Sequence, residues 1–216
     1  MVTAIVVVGG LAEAAAWWVV ARRRASVWLG LGPVLAIAGL AAVATGKIVL
    51  CPAVSGTVAA LAGLGSGLAL FGATRAFVWV VERVWPAFRH HAQNIYDQRG
   101  GLSLPAAVGA ALVVVAGEEL LWRGLAQSRL AQAAGRTGGA LAAWGIYVTA
   151  NAPSGSLPIL AAAVVGGAAW GGLAFWTGGV LAPLLCHGVW TSCMIAFPPR
   201  GASPGGATPG GLDSAT

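Results

Sequence analysis

Apolar residues along the chain fall into long runs, each closed by arginine, lysine, proline or a glycine-rich stretch. A helix needs about 20 largely apolar residues to cross the hydrocarbon core of a bilayer. Seven runs of that kind are predicted as spans. The first runs from Val2 to Val20 and stops at Arg22, Arg23 and Arg24, and the second runs from Val27 to Thr45 and stops at Lys47. The third, from Ile48 to Ala73, is cut by Pro52 and rich in glycine. The fourth, Leu102 to Leu121, carries Pro105 where the first turn of a helix tolerates proline, and an amphipathic piece from Gly124 to Ala134 is expected to lie at the surface after it. A short fifth span, Thr137 to Asn151, ends before Pro153, Ser154 and Gly155. The sixth, Leu157 to Trp176, holds Gly167 and Gly171 at the spacing of a close helix-packing face, and the seventh covers Val180 to Phe197.

Two stretches break this pattern. From Arg75 to Gly101, charged and polar residues including Glu82, Arg89, His90, His91 and Asp97 are interleaved with Phe77, Trp79, Trp85 and Tyr96. That mixture predicts an interfacial amphipathic segment leading into a polar loop. Beyond Pro198, the chain is proline, glycine, serine and alanine with one acid, a tail with nothing to bury. The expected architecture is an all-α polytopic transmembrane bundle of about seven spans plus an interfacial helix. It divides into residues 1–101, a core over 102–197 and a disordered tail over 198–216.

Composition narrows the class. Hydrophobic residues make up 58% of the 216 positions and charged residues 8%, whereas a soluble domain carries about a quarter charged residues. An ordinary soluble enzyme is excluded, and so is a disordered chain, which needs low hydrophobicity and high charge. The net charge of +6 raises the question of nucleic acid. The arginines, however, sit at the ends of apolar runs, where they act as topology signals and lipid-headgroup contacts. The expected partner is therefore the lipid bilayer of a cell membrane, crossed many times, with no nucleic acid. Cys51, Cys186 and Cys193 make no even set and read as small buried hydrophobes.

The charge count also locates the chemistry. Of six acids, only Glu13, Glu118 and Glu119 lie in apolar surroundings. An ionisable group at the bilayer centre costs on the order of 3 kcal/mol, so two adjacent ones call for partners or a task. Glu119 and Arg123 are four apart with the acid first, the favourable helical pairing geometry, which predicts a structural ion pair and leaves Glu118 without a local partner. Glu13 is expected to snorkel or make a packing contact. On the last span, His187 and Thr191 share a helix face, and Asn151 closes the fifth. These three helices could bring a carboxylate, an imidazole, an amide and a hydroxyl to one intramembrane cavity, although a satisfied core histidine and a helix-end asparagine are equally plain readings of His187 and Asn151. A hydrolytic zinc site generally needs three protein ligands. The membrane portion has one histidine and no HExxH, so zinc is disfavoured and no cofactor is expected.

The stretch Gly117-Glu118-Glu119-Leu120-Leu121-Trp122-Arg123-Gly124 resembles the EExxxR motif of the CPBP family, the type II CAAX prenyl proteases and bacteriocin-processing intramembrane proteases. That family carries FxxxH on a second helix and HxxxN on a later one. The corresponding stretches here are Tyr147-Val148-Thr149-Ala150-Asn151 and His187-Gly188-Val189-Trp190-Thr191, so that the resemblance covers Leu102 to Phe197. Asn151 stands where the family has histidine, and Thr191 where it has asparagine. The resemblance implies an intramembrane glutamic endopeptidase acting on a membrane-associated or lipidated peptide or protein. Glu118 would activate water, His187 and Thr191 would donate hydrogen bonds to the oxyanion, and Glu119 with Arg123 would hold Glu118 in place. Asn151 could hold a water or polarise a carbonyl but cannot take a proton. The alternative is a catalytically impaired membrane scaffold or chaperone of the same fold. A small transporter is a weaker third reading, because no inverted repeat accompanies the spans.

Overall fold

The computed structural model describes residues 1–85, Phe88 and residues 101–198. All regular structure among these residues is helical. Helix α1 spans Val2–Ala21, α2 Val27–Ala44, α3 Gly56–Val84 and α4 Leu104–Glu118. A π-helical segment, Glu119–Gln127, follows α4 directly and leads into α5, Ser128–Asn151. After a 3-10 turn at Ala152–Ser154 come α6, Leu157–Thr177, and α7, Leu181–Ala196.

The helix starts follow from capping chemistry. Ser26, Ser55 and Ser103 each sit in extended backbone and accept from the amides of Leu29, Val58 and Ala106, at 3.3, 3.2 and 3.4 Å. Each hydroxyl thus satisfies one of the amides that a helix's first turn leaves without a partner. Gly178 ends α6 in the left-handed conformation, φ 74°, which glycine adopts without steric cost.

Among the described residues, five helical stretches are long and apolar enough to cross a membrane, and Leu181–Ala196 is a shorter apolar helix. Large apolar side chains such as Leu11, Leu29, Ile37, Leu40 and Leu61 point outward, while Glu13, Glu118, Glu119, Arg123, Gln127, Asn151, Thr177 and His187 are buried. A bundle that is oily outside and polar inside is suited to lipid as its solvent. The chain is a multi-pass membrane protein embedded in the bilayer.

Three expectations are corrected. The third span does not begin at Ile48 or end at Ala73. Residues 47–55 are irregular and bond through their backbone to the connection between α6 and α7, with Val180 and Leu181 donating to the carbonyls of Val49 and Leu50 at 3.0 and 2.9 Å. The helix starts only after Pro52 and continues through Arg75 to Val84. The piece from Gly124 to Ala134 is not uniformly a surface element: Gly124 to Gln127 is buried, and exposure begins at Ser128. Finally, α5 begins well before Thr137 but is broken at Gly135, whose φ of 73° and ψ of 168° are non-helical. There the chain folds back until Gly139 abuts the backbone of Ala131. The interfacial segment expected to continue to Gly101, with Arg89, His90, His91 and Asp97, and the tail from residue 199 lie outside the described residues.

Candidate active site

The motif helix is fixed before the motif begins. At Gly117 a Cβ would run into the carbonyl of Leu35 on α2, and Gly39 of α2 faces the Gly117 Cα in return. This glycine-to-glycine crossing holds α4 against α2 and sets the height at which Glu118 and Glu119 leave the helix. From Glu119 the backbone widens into the π form, a rare conformation often found at functional sites. Residues Leu121 to Gln127 are all buried.

Polar side chains in this segment find their partners on α6. Arg123 donates from Nη2 to the Gly167 carbonyl at 3.2 Å, and Gln127 donates from Nε2 to the Gly171 carbonyl at 3.1 Å. The two donors are four apart, and so are the two acceptors. The pair that reads in sequence as a packing face therefore also has a polar use, because glycine leaves its own carbonyl open to a neighbouring side chain. A cavity of about 100 Å3 touches this ladder at Arg123 and Gln127 and extends towards Arg136 and Phe175.

Glu119 is the hub of the cluster. Its Oε1 accepts from Arg123 Nη1 at 3.2 Å and lies 2.8 Å from His187 Nδ1. Its Oε2 is buried with no hydrogen-bond partner among the described residues. The imidazole of His187 is stacked on Trp170, with ring centroids 3.5 Å apart and planes 14° apart. Held at Nδ1 and by its face, the ring turns Nε2 towards Glu118, 3.9 Å from Oε2. A neutral ring donating from Nδ1 leaves Nε2 as an acceptor, whereas the imidazolium donates from both nitrogens. An oxyanion facing Nε2 would be stabilised only by a ring that donates there.

Glu118 also receives the Tyr147 hydroxyl, at 3.4 Å from Oε2. Tyr147 carries Arg123 over its ring face at 4.4 Å and packs edge-on against Trp122 and Trp170. One turn further along α5, Asn151 is buried and donates from Nδ2 to its own helix at the Tyr147 carbonyl, 3.0 Å, and to Glu13 Oε1, 3.2 Å. Glu13, fully buried on α1, also accepts from Trp122 Nε1 at 2.8 Å. Of the two expectations for Glu13, snorkelling is overturned by its burial, and it makes contacts inside the bundle instead.

The structure brings Glu118, Glu119, Arg123 and His187 together and joins Asn151 to them through Tyr147 and Glu13. Thr191 is one turn beyond His187, with its hydroxyl buried and without a hydrogen-bond partner among the described residues. Its neighbour Trp190 ties α7 to α3 by donating to Thr74 Oγ1 at 3.0 Å. Sequence reasoning missed the Tyr147 hydroxyl, the Trp170 platform and the Gln127 anchor, and set Glu13 aside. The signal for Glu13 was present in its scarcity, as one of only three acids in apolar surroundings. Among the described residues, no group of three histidine, cysteine, aspartate or glutamate side chains is disposed to hold a metal ion.

No curated protein and no solved structure matches the chain. A family model does: residues 100–193 match the one described as type II CAAX prenyl endopeptidase Rce1-like. That stretch contains Glu118, Glu119, Arg123, Asn151, His187 and Thr191. Through residues 100–193, the chain is similar to the Rce1-like CAAX/CPBP family.

Proposed function

We propose that the protein is an intramembrane glutamic endopeptidase that hydrolyses a peptide bond in a membrane-associated or lipidated peptide or protein. The observation that carries the reading is the buried face formed by Glu118 and His187, with Nε2 and Oε2 3.9 Å apart and the ion pair of Glu119 and Arg123 behind it. Glu118 takes a proton from water as the water oxygen bonds to the scissile carbonyl carbon. His187, as imidazolium, and Thr191 donate to the resulting oxyanion, a contribution worth several kcal/mol where water is excluded. Glu118 then returns the proton to the departing nitrogen as the carbon–nitrogen bond breaks. Glu119 fixes the ring of His187, and Arg123 neutralises Glu119 and anchors it to α6.

The family description names a CAAX prenyl endopeptidase, so a farnesylated peptide ending in a CAAX sequence is the first substrate to try. Glu118→Gln is expected to abolish its cleavage by purified protein that still elutes as one species in detergent. Undiminished turnover in that variant would remove the mechanism. The competing scaffold reading rests on Asn151 in place of the motif histidine, and it prevails if the wild type is inert while Asn151→His cuts.

A further inference from the structure

The reaction proposed above uses two of the three acids buried among the described residues and leaves Glu13 without a task. A glutamate in the middle of an apolar span is costly to bury, yet Glu13 is fully enclosed and both of its oxygens are engaged, Oε2 by Trp122 at 2.8 Å and Oε1 by Asn151 at 3.2 Å. Its helix is shaped to bring it there. Gly9 and Gly10 let α1 approach so closely that a Cβ on either would lie 3.0 Å from the side chain of Leu121 or Trp122. Glu13 follows one turn later on the same side.

The consequence falls on Asn151. An amide nitrogen has two hydrogens, and here one is directed at Glu13 and the other at the Tyr147 carbonyl. The reversed amide would set its oxygen against two other oxygens, so the orientation is chemically determined. Asn151 therefore has no N–H left for a substrate carbonyl or an oxyanion. What it has left is Oδ1, which accepts hydrogen bonds and takes no proton.

We propose that Glu13 is a positioning residue of the cleavage site: by pinning Asn151 through Nδ2, it presents Oδ1 as the acceptor that orients the attacking water. The inference rests on the hydrolytic reading given above. One hydrogen of the water goes to Glu118 as the base while the other stays bonded to Asn151 Oδ1, and the water oxygen is left aimed at the carbonyl carbon. Glu13 and Asn151 together then do the orienting work of the histidine that the motif has at this position, without its capacity to take a proton.

The test is a cycle of four full-length proteins in detergent, the wild type, Glu13→Gln, Asn151→His and the double variant, assayed on a quenched farnesylated CAAX peptide with Glu118→Gln in parallel. Glutamine can no longer accept from both donors, so Glu13→Gln is expected to lower kcat at least tenfold in the wild-type background with KM changed less than twofold. In the Asn151→His background the same change is expected to cost less than threefold, because an imidazole needs no pinned amide. An equal loss in both backgrounds, or none in the wild type, overturns the inference. If Glu13→Gln does not yield a single folded species, Glu13→Asp, which retracts the carboxylate by one methylene, takes its place with the same expectations. A wild type whose turnover does not depend on Glu118 removes the hydrolytic reading itself, and the inference with it.

Discussion

His187 Nδ1 and Glu119 Oε1 lie 2.8 Å apart across 68 positions of sequence, and the same oxygen accepts from Arg123 four residues away. One carboxylate oxygen therefore sets the direction of the imidazole and is itself held from the other side. Replacing Glu119 by glutamine removes the negative charge from the oxygen that both donors share and puts an NH2 group where the second carboxylate oxygen stood. The expected result is a loss in kcat of about 10²-fold or more, by analogy with other carboxylate-oriented histidines, and little change in KM. Steady-state kinetics on the peptide substrate checks it.

Arg123 is buried between Glu119 and the Gly167 carbonyl. Arg123→Met strands a buried carboxylate and is expected to cost about 3–5 kcal/mol. Arg123→Lys keeps the charge but loses the planar fork that reaches both acceptors, at about 1–2 kcal/mol for the missing hydrogen bond. Thermal or denaturant unfolding in detergent should rank them in that order.

Gly117 abuts the Leu35 carbonyl, while Gly109, two turns earlier on α4, has open space around it. Gly117→Ala is expected to destabilise the protein by about 1–3 kcal/mol through overpacking. Gly109→Ala is expected to stabilise it by about 0.5–1 kcal/mol, the ordinary helical preference for alanine. Opposite signs from the same chemical change, read in melting temperature, would establish the α2–α4 crossing.

Tyr147→Phe removes the hydroxyl 3.4 Å from Glu118 and keeps the ring that packs on Trp122 and Trp170. A single hydrogen bond is worth about 1 kcal/mol, so kcat should fall about threefold to tenfold while the melting temperature stays close to that of the wild type.

What the sequence reveals depends on how far each interaction reaches along the chain. Apolar runs mark helices because lipid is the solvent on every side, and the Glu119–Arg123 pair is legible because it spans one turn. The bonds from Trp122 and Asn151 to Glu13 cross 109 and 138 positions, and no local spacing encodes them, so an acid at the centre of the site resembles an isolated one. The stretch from Gly124 to Ala134 reads as amphipathic, yet its first turn is buried together with the polar side chains of Arg123 and Gln127. Their partners are glycine carbonyls on α6, which a residue-by-residue reading of polarity cannot register. The reversal at Gly135 is hidden for a related reason: one positive φ angle suffices to fold back a stretch whose composition is continuous with a helix.

The proposed hydrolysis rests on Glu118 as the base. Cleavage of the farnesylated peptide by wild type and Glu118→Gln, at equal concentrations of folded protein, tests it most directly. A loss of at least about 10³-fold is expected in the variant, within the range for removing a general base. Turnover within threefold of the wild type would contradict it.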